Sequence, residues 1–110
     1  MFEYNAIITS VYDGDTVRAD IDLGFGIWIR NQPLRIHGID APEMGTPEGL
    51  EARDFARGQL QGKTVKVKTL KDAKEKYGRY LAIIELPAGE DFASLMIAAN
   101  HAKPYFGGTR

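Results

Sequence analysis

Three short segments hold the side chains that could do chemistry: Asp13-Gly14-Asp15-Thr16, the run LRIHGIDAPE over 34–43, and the run KYGRYLA over 76–82. Together they offer carboxylates, arginines and a lysine, the set that phosphodiester hydrolysis calls for. That reaction needs a metal to neutralise developing charge, a base to activate water and cationic donors to grip the phosphoryl oxygens. Asp15 and Asp40 each fall at the end of an expected strand, where a barrel can bring them together. Unpaired, two carboxylates about 5 Å apart repel by roughly 3 kcal/mol at an effective dielectric of about 20. A cation turns that repulsion into attraction. With a backbone carbonyl beside them the two make an all-oxygen site, and hard oxygen ligands favour calcium or magnesium over zinc.

Other metal chemistries fit poorly. His37 and His101 are isolated, with no partner at zinc spacing. The surroundings of Asp13 and Asp15 lack the glycine and closing glutamate of an EF-hand loop. Each segment also has a plainer reading. Asp-Gly between apolar runs is a hairpin turn, with glycine supplying positive φ and Asp bonding its own backbone. Arg35 could be a strand arginine and Arg79 part of a turn, while DAPE could be only the approach to a helix.

The elements that would position these groups follow from pattern. EYNAIITSVY reads as a strand, and Val17, Ala19, Ile21 and Leu23 alternate with polar residues on a second, half-buried one. LGFG breaks the pattern, 27–39 resumes it, and Asn31-Gln32-Pro33 predicts a bulge. Thr46 and Pro47 open a helix whose expected buried stripe is Leu50, Ala52, Phe55, Ala56 and Leu60, ended by Gly62. A strand over 63–70, an exposed connection over 71–78, a buried strand over 79–86 and a short helix over 91–100 follow, with an irregular tail from 101. The order β-β-β-α-β-β-α predicts an α+β fold, a five-stranded OB-type Greek-key barrel with two helices.

Length and composition set the outer limits. A chain of 110 residues suits one compact domain, expected to span 1–110, and the absence of cysteine excludes disulfides and thiolate metal sites. No apolar run approaches the roughly 18 residues of a membrane span. The opening MFEYNAIITS carries acid rather than a basic stretch and does not read as a signal peptide, so a cytoplasmic protein is expected unless a leader has been removed. Charge is uneven: residues 1–54 carry four basic side chains against ten acids, and residues 63–79 carry seven against two. A DNA-coating protein would be more basic throughout. The lysine-rich stretch reads either as a solvated strand face or as a small patch for a polyanion backbone.

DGDT, then RIHGIDAPE, then a helix containing EARDFA, then KYGR before an apolar strand resembles the staphylococcal nuclease (thermonuclease) family, from about residue 5 to residue 103. The resemblance implies a calcium-dependent endonuclease acting on DNA and RNA, single-stranded or frayed regions favoured, with little sequence preference and 3′-phosphate products. It casts Asp15, Asp40 and the backbone carbonyl of Ala41 as calcium ligands, although a threonine is the familiar residue at the last position. It casts Glu43 as general base and Arg35 and Arg79 as the phosphate clamp, their planar forks suiting a phosphoryl group better than lysine. By the same resemblance Lys76 and Tyr77 match residues near the terminal phosphate of the bound nucleotide, and Tyr105 matches the tyrosine of the base pocket in a register ambiguous by one residue. Two departures stand out. The third C-terminal helix of the family is lacking, and the hairpin over 23–33 is long. Its Phe25 and Trp28 either cover core or form a surface through which an otherwise monomeric protein dimerises. A non-catalytic single-strand-binding barrel is the alternative to an enzyme.

Overall fold

The computed structural model describes residues 2–74 and 79–105, with the side chains of 71–74 left aside. Alternating apolar residues drive the first three strands, β1 (Phe2–Asp13), β2 (Thr16–Asp22) and β3 (Trp28–Ile36). Ile8 and Val11 both face the core although they stand three positions apart, which in a regular strand puts them on opposite faces. A register shift between Ile8 and Ser10 explains it, since Thr9 is the extra residue of a bulge. The bulge expected in β3 falls at Asn31, whose φ is 55°. The Asp20 carboxylate accepts its N–H at 2.8 Å and pairs with Arg30 at 3.1 Å.

The remaining elements are β4 (Ile39–Asp40), α1 (Pro47–Leu60), β5 (Thr64–Lys74), β6 (Tyr80–Glu85), α2 (Phe92–Ala98) and β7 (Lys103–Pro104). Strands β1-β2-β3-β6-β5 close into a barrel, the expected OB-type α+β architecture. All its pairings are antiparallel except β3 with β6, which run parallel over Leu34–Ile36. This closure matters for the site, because the start of β6 lies beside the end of β3. Ile8, Leu34, Ile36, Leu60, Ile84, Phe92 and Met96 fill the interior. No helix among the described residues is long and apolar enough to cross a membrane.

Five sequence expectations change. Leu23 and Leu50 are exposed. On a helix, residues two apart point to nearly opposite sides, so Leu50 cannot share a face with Ala52, Ala56 and Leu60. Gly49 takes the buried place instead. β5 continues through Lys74, where an exposed connection was expected, and the tail forms β7, paired with β4. Phe25 is wholly exposed at a hairpin loop and covers no core. Lys66 sits 3.9 Å from Glu3 and opposite Glu85, so this part of the lysine-rich stretch is a charge-balanced, solvated face.

Thr46 caps α1 as expected, its hydroxyl oxygen accepting the Gly49 N–H at 3.0 Å while its hydroxyl donates to the Glu43 carbonyl at 2.7 Å. The helix thus begins pressed against the preceding loop. A Cβ on Gly49 would stand 1.9 Å from the Glu43 carbonyl oxygen. Alanine is the better helix former by about 1 kcal/mol, but steric overlap with backbone reverses the sign. Gly49→Ala is therefore expected to destabilise the fold by about 1–3 kcal/mol, as overpacking does. Urea denaturation checks it, and a gain in stability would refute the contact.

Candidate active site

The turn between β1 and β2 builds the first half of the site. The Asp15 N–H donates to Asp13 Oδ1 at 3.0 Å, an Asx-type turn. Gly14 is needed here for space, and not for positive φ as the turn pattern suggests. Its φ is not among the positive ones, and a Cβ there would meet Ala41 Cβ at 2.7 Å and Met96 Cε at 3.1 Å. The turn therefore packs directly against the loop after β4.

The Asp15 carboxylate is buried, 7% exposed, and both its oxygens are engaged. Oδ2 accepts the Ala41 N–H at 2.8 Å and lies 3.6 Å from Arg35 Nη2. Oδ1 accepts the Thr16 hydroxyl at 3.2 Å. The same Arg35 Nη2 lies 3.8 Å from Asp40 Oδ1, and Arg35 Nη1 donates to the Ile36 carbonyl at 2.8 Å. So one buried guanidinium stands between two carboxylates. Arg79, just before β6, donates from Nη1 to Thr16 Oγ1 at 3.0 Å. β7 anchors this rim from outside: Asp40 pairs with Lys103, and the Tyr105 N–H donates to the Gly38 carbonyl at 2.9 Å.

Asp15, Arg35, Asp40, Ala41 and Arg79 thus gather at one end of the barrel. Glu43 stands two residues beyond Ala41 with its side chain exposed and its carbonyl bonded to Thr46. Tyr105 is half-buried beside the corner between β3 and β4, and Lys76 and Tyr77 lie outside the described residues. Thr16 is the residue that sequence reasoning passed over, although it directly follows Asp15 and pairs with Arg35 across β2 and β3. A separate cleft of about 400 Å³ borders His37, Lys68, Glu85, Asp91 and Ser94 and includes none of the gathered residues.

The donor chemistry suits a hard divalent cation, since Asp15 Oδ2 and Asp40 Oδ1 are carboxylate oxygens that lie 3.6 and 3.8 Å from one Arg35 nitrogen. Among the described residues no group of three or more His, Cys, Asp or Glu could hold a metal ion. Backbone carbonyls, water or substrate would have to complete the coordination.

Residues 33–109 match the family described as staphylococcal nuclease homologues. The chain belongs to the staphylococcal nuclease family. It is 35% identical over 85 residues to the thermonuclease of Staphylococcus hyicus, a match covering 72% of this chain and 47% of that protein. It is 29% identical over 98 residues to the thermonuclease of Staphylococcus intermedius, covering 84% and 54%. Endonuclease YhcR of Bacillus subtilis matches at 28% over 116 residues, 94% of this chain and 9% of the larger protein. The chain spans about half the length of the two thermonucleases. Family membership accounts for the order of the motifs along the chain; the geometry above accounts for how they meet.

The rim concentrates negative charge. The Asp13 carboxyl is pushed from its ordinary 3.8 up to about 6, first by burial, then by the hydrogen bond and charge of Asp15. Between those values the folded chain keeps a proton that the unfolded chain has released. The stability Asp13 contributes is therefore full below pH 3.8 and is lost as pH rises through about 6. Asp13→Asn keeps an acceptor for the Asp15 N–H and removes the charge. In chelator the variant should be more stable than the parent at pH 7, by on the order of 1 kcal/mol once water's screening is allowed for, and equal to it near the acid end. Denaturation across that pH range checks it, and parallel curves would refute it.

Proposed function

We propose that this protein is a calcium-dependent nuclease that hydrolyses phosphodiester bonds of DNA and RNA with little sequence preference. The observation that carries the reading is the Arg35 guanidinium set between Asp15 and Asp40, with Arg79 reaching the same rim through Thr16. Paired acids and paired arginines at one barrel mouth suit a substrate that is anionic and needs a cation to react.

Asp15, Asp40 and the Ala41 carbonyl would hold Ca²⁺. When bound, the ion would neutralise charge on the phosphoryl group and lower the cost of forming a hydroxide nucleophile. The protein's own groups do the rest. Arg35 and Arg79 bind the phosphoryl oxygens, whose charge grows in the transition state, and hold the scissile phosphorus in line. Glu43, on the loop fixed by Thr46 and Gly49, accepts the proton of the attacking water. Water's oxygen forms the new bond to phosphorus, the bond to the 5′-oxygen breaks, and that oxygen takes up a proton. The products are a 3′-phosphate and a 5′-hydroxyl. Lys76 and Tyr77 would contact the terminal phosphate and Tyr105 the base, an arrangement that single-stranded or frayed substrate enters most easily.

The test is digestion of single-stranded DNA in calcium, in magnesium and in chelator. Cleavage in calcium, abolished by chelator and by Asp40→Ala, is the expected result. Arg35→Ala should lower the rate by about 10²–10³, the usual cost of one electrostatic donor. Binding without cleavage by folded protein would instead support a non-catalytic single-strand-binding barrel.

A further inference from the structure

We infer that Thr16 is a positioning residue that couples the carboxylate side of the site to the phosphate clamp, an inference resting on the nuclease reading above. Its hydroxyl carries one proton. Since Oγ1 accepts from Arg79 Nη1 at 3.0 Å, that proton is directed to Asp15 Oδ1 at 3.2 Å. The result is an ordered chain: guanidinium to hydroxyl to carboxylate. Both ends are charged; the guanidinium bond at 3.0 Å is the shorter of the two, and the hydroxyl–carboxylate bond at 3.2 Å is long for its kind.

The fold explains why this position has the reach. Thr16 pairs with Arg35, so the two side chains leave the same face of the sheet. β6 runs alongside β3 with Leu34 opposite Tyr80, which starts Arg79 on the far side of Arg35. Arg79 therefore crosses the Arg35 strand to reach Thr16. Two like charges lie close together there, and the Asp15–Thr16 pair holds each guanidinium in its own place: Asp15 Oδ2 faces Arg35, and Oδ1 faces Arg79 through the hydroxyl. β-branching keeps the Thr16 side chain stiff at χ1, so the hydroxyl stays on this line at little entropic cost.

Occupying either end changes what the hydroxyl bonds at the other. A ligand on Asp15 and a phosphate on Arg79 should thus affect each other's affinity, reciprocally. Thr16→Val keeps the shape and the strand preference and removes the relay; Thr16→Ser keeps the hydroxyl.

Three measurements test this. The first is calcium affinity by titration calorimetry, without nucleic acid. The second is affinity for a short oligothymidylate in chelator, where cleavage plays no part. The third is kcat and KM on single-stranded DNA. Thr16→Val should weaken oligonucleotide binding in chelator and lower kcat by about 10-fold, one hydrogen bond to a charged group. Thr16→Ser should return both to within about 2-fold. In an Arg79→Ala background the valine change should cost little more, because both changes break one chain. Read from the other end, Arg79→Ala should weaken calcium by about 3-fold or more, a test that stands even if the valine variant does not fold. Additive losses, equal effects of valine and serine, or calcium affinity unmoved by Arg79→Ala would each overturn the inference. Absence of cleavage by the parent protein would remove the nuclease reading, while the two binding measurements would still decide the role of Thr16.

Discussion

The bond from the Ala41 N–H to Asp15 Oδ2, 2.8 Å long, joins two parts of the chain that are far apart in sequence, and the rest of the site depends on it. It closes the β1–β2 turn onto the loop after β4. Once those segments touch, Asp15 is buried and needs compensation, which Arg35 supplies. Arg35 in turn is buried, and it also faces the Ile36 carbonyl at 2.8 Å and Asp40 at 3.8 Å. Removing Asp15 or Arg35 would leave the other's buried charge poorly paired, a loss of about 3–5 kcal/mol in typical cases. Asp15 and Arg35 are mutually required.

Barrel topology sets which arginines can join. Four of the five pairings are antiparallel; β3 and β6 run parallel with Leu34 opposite Tyr80, and it is this register that places the start of β6 beside the end of β3. Arg35 near the end of β3 and Arg79 just ahead of β6 reach the same rim for that reason. The chain separation of the two arginines is therefore no guide to their distance in space, whereas strand register is.

Much of this was legible. Local patterns with a strong physical cause were read correctly: the Asp13-Gly14-Asp15 turn, the Thr46 cap with Pro47 behind it, the bulge near Asn31 and the five-strand order. Contacts between segments were not. Gly14 looked like a turn glycine chosen for φ, when its role is to let Ala41 and Met96 approach. Leu50 looked like core because it is apolar, when Gly49 has the buried place against the Glu43 carbonyl. β7 has only two residues and gains its pairing from β4, so no pattern within the tail could announce it. Thr16 escaped notice because a threonine opening a strand is ordinary. Its meaning lies in Arg79, 63 residues away.

The electrostatics of the rim argue that function shaped it. A fold seeking stability alone would not place Asp13, Asp15 and Asp40 at one barrel mouth, where burial and the Asp15 charge raise the Asp13 pKa to about 6. Unpaired surface positions could have carried those charges in water at almost no cost. The Asx turn would work with a neutral acceptor, and the Ala41 amide could be satisfied by one carboxylate. Asp40 is not required by either. Its carboxylate adds a second acid to the rim, 3.8 Å from the Arg35 that also serves Asp15. Such gathering of like charge suits the proposed site for a cation and an anionic substrate. The barrel carries this rim on an apolar core that runs from Ile8 to Met96.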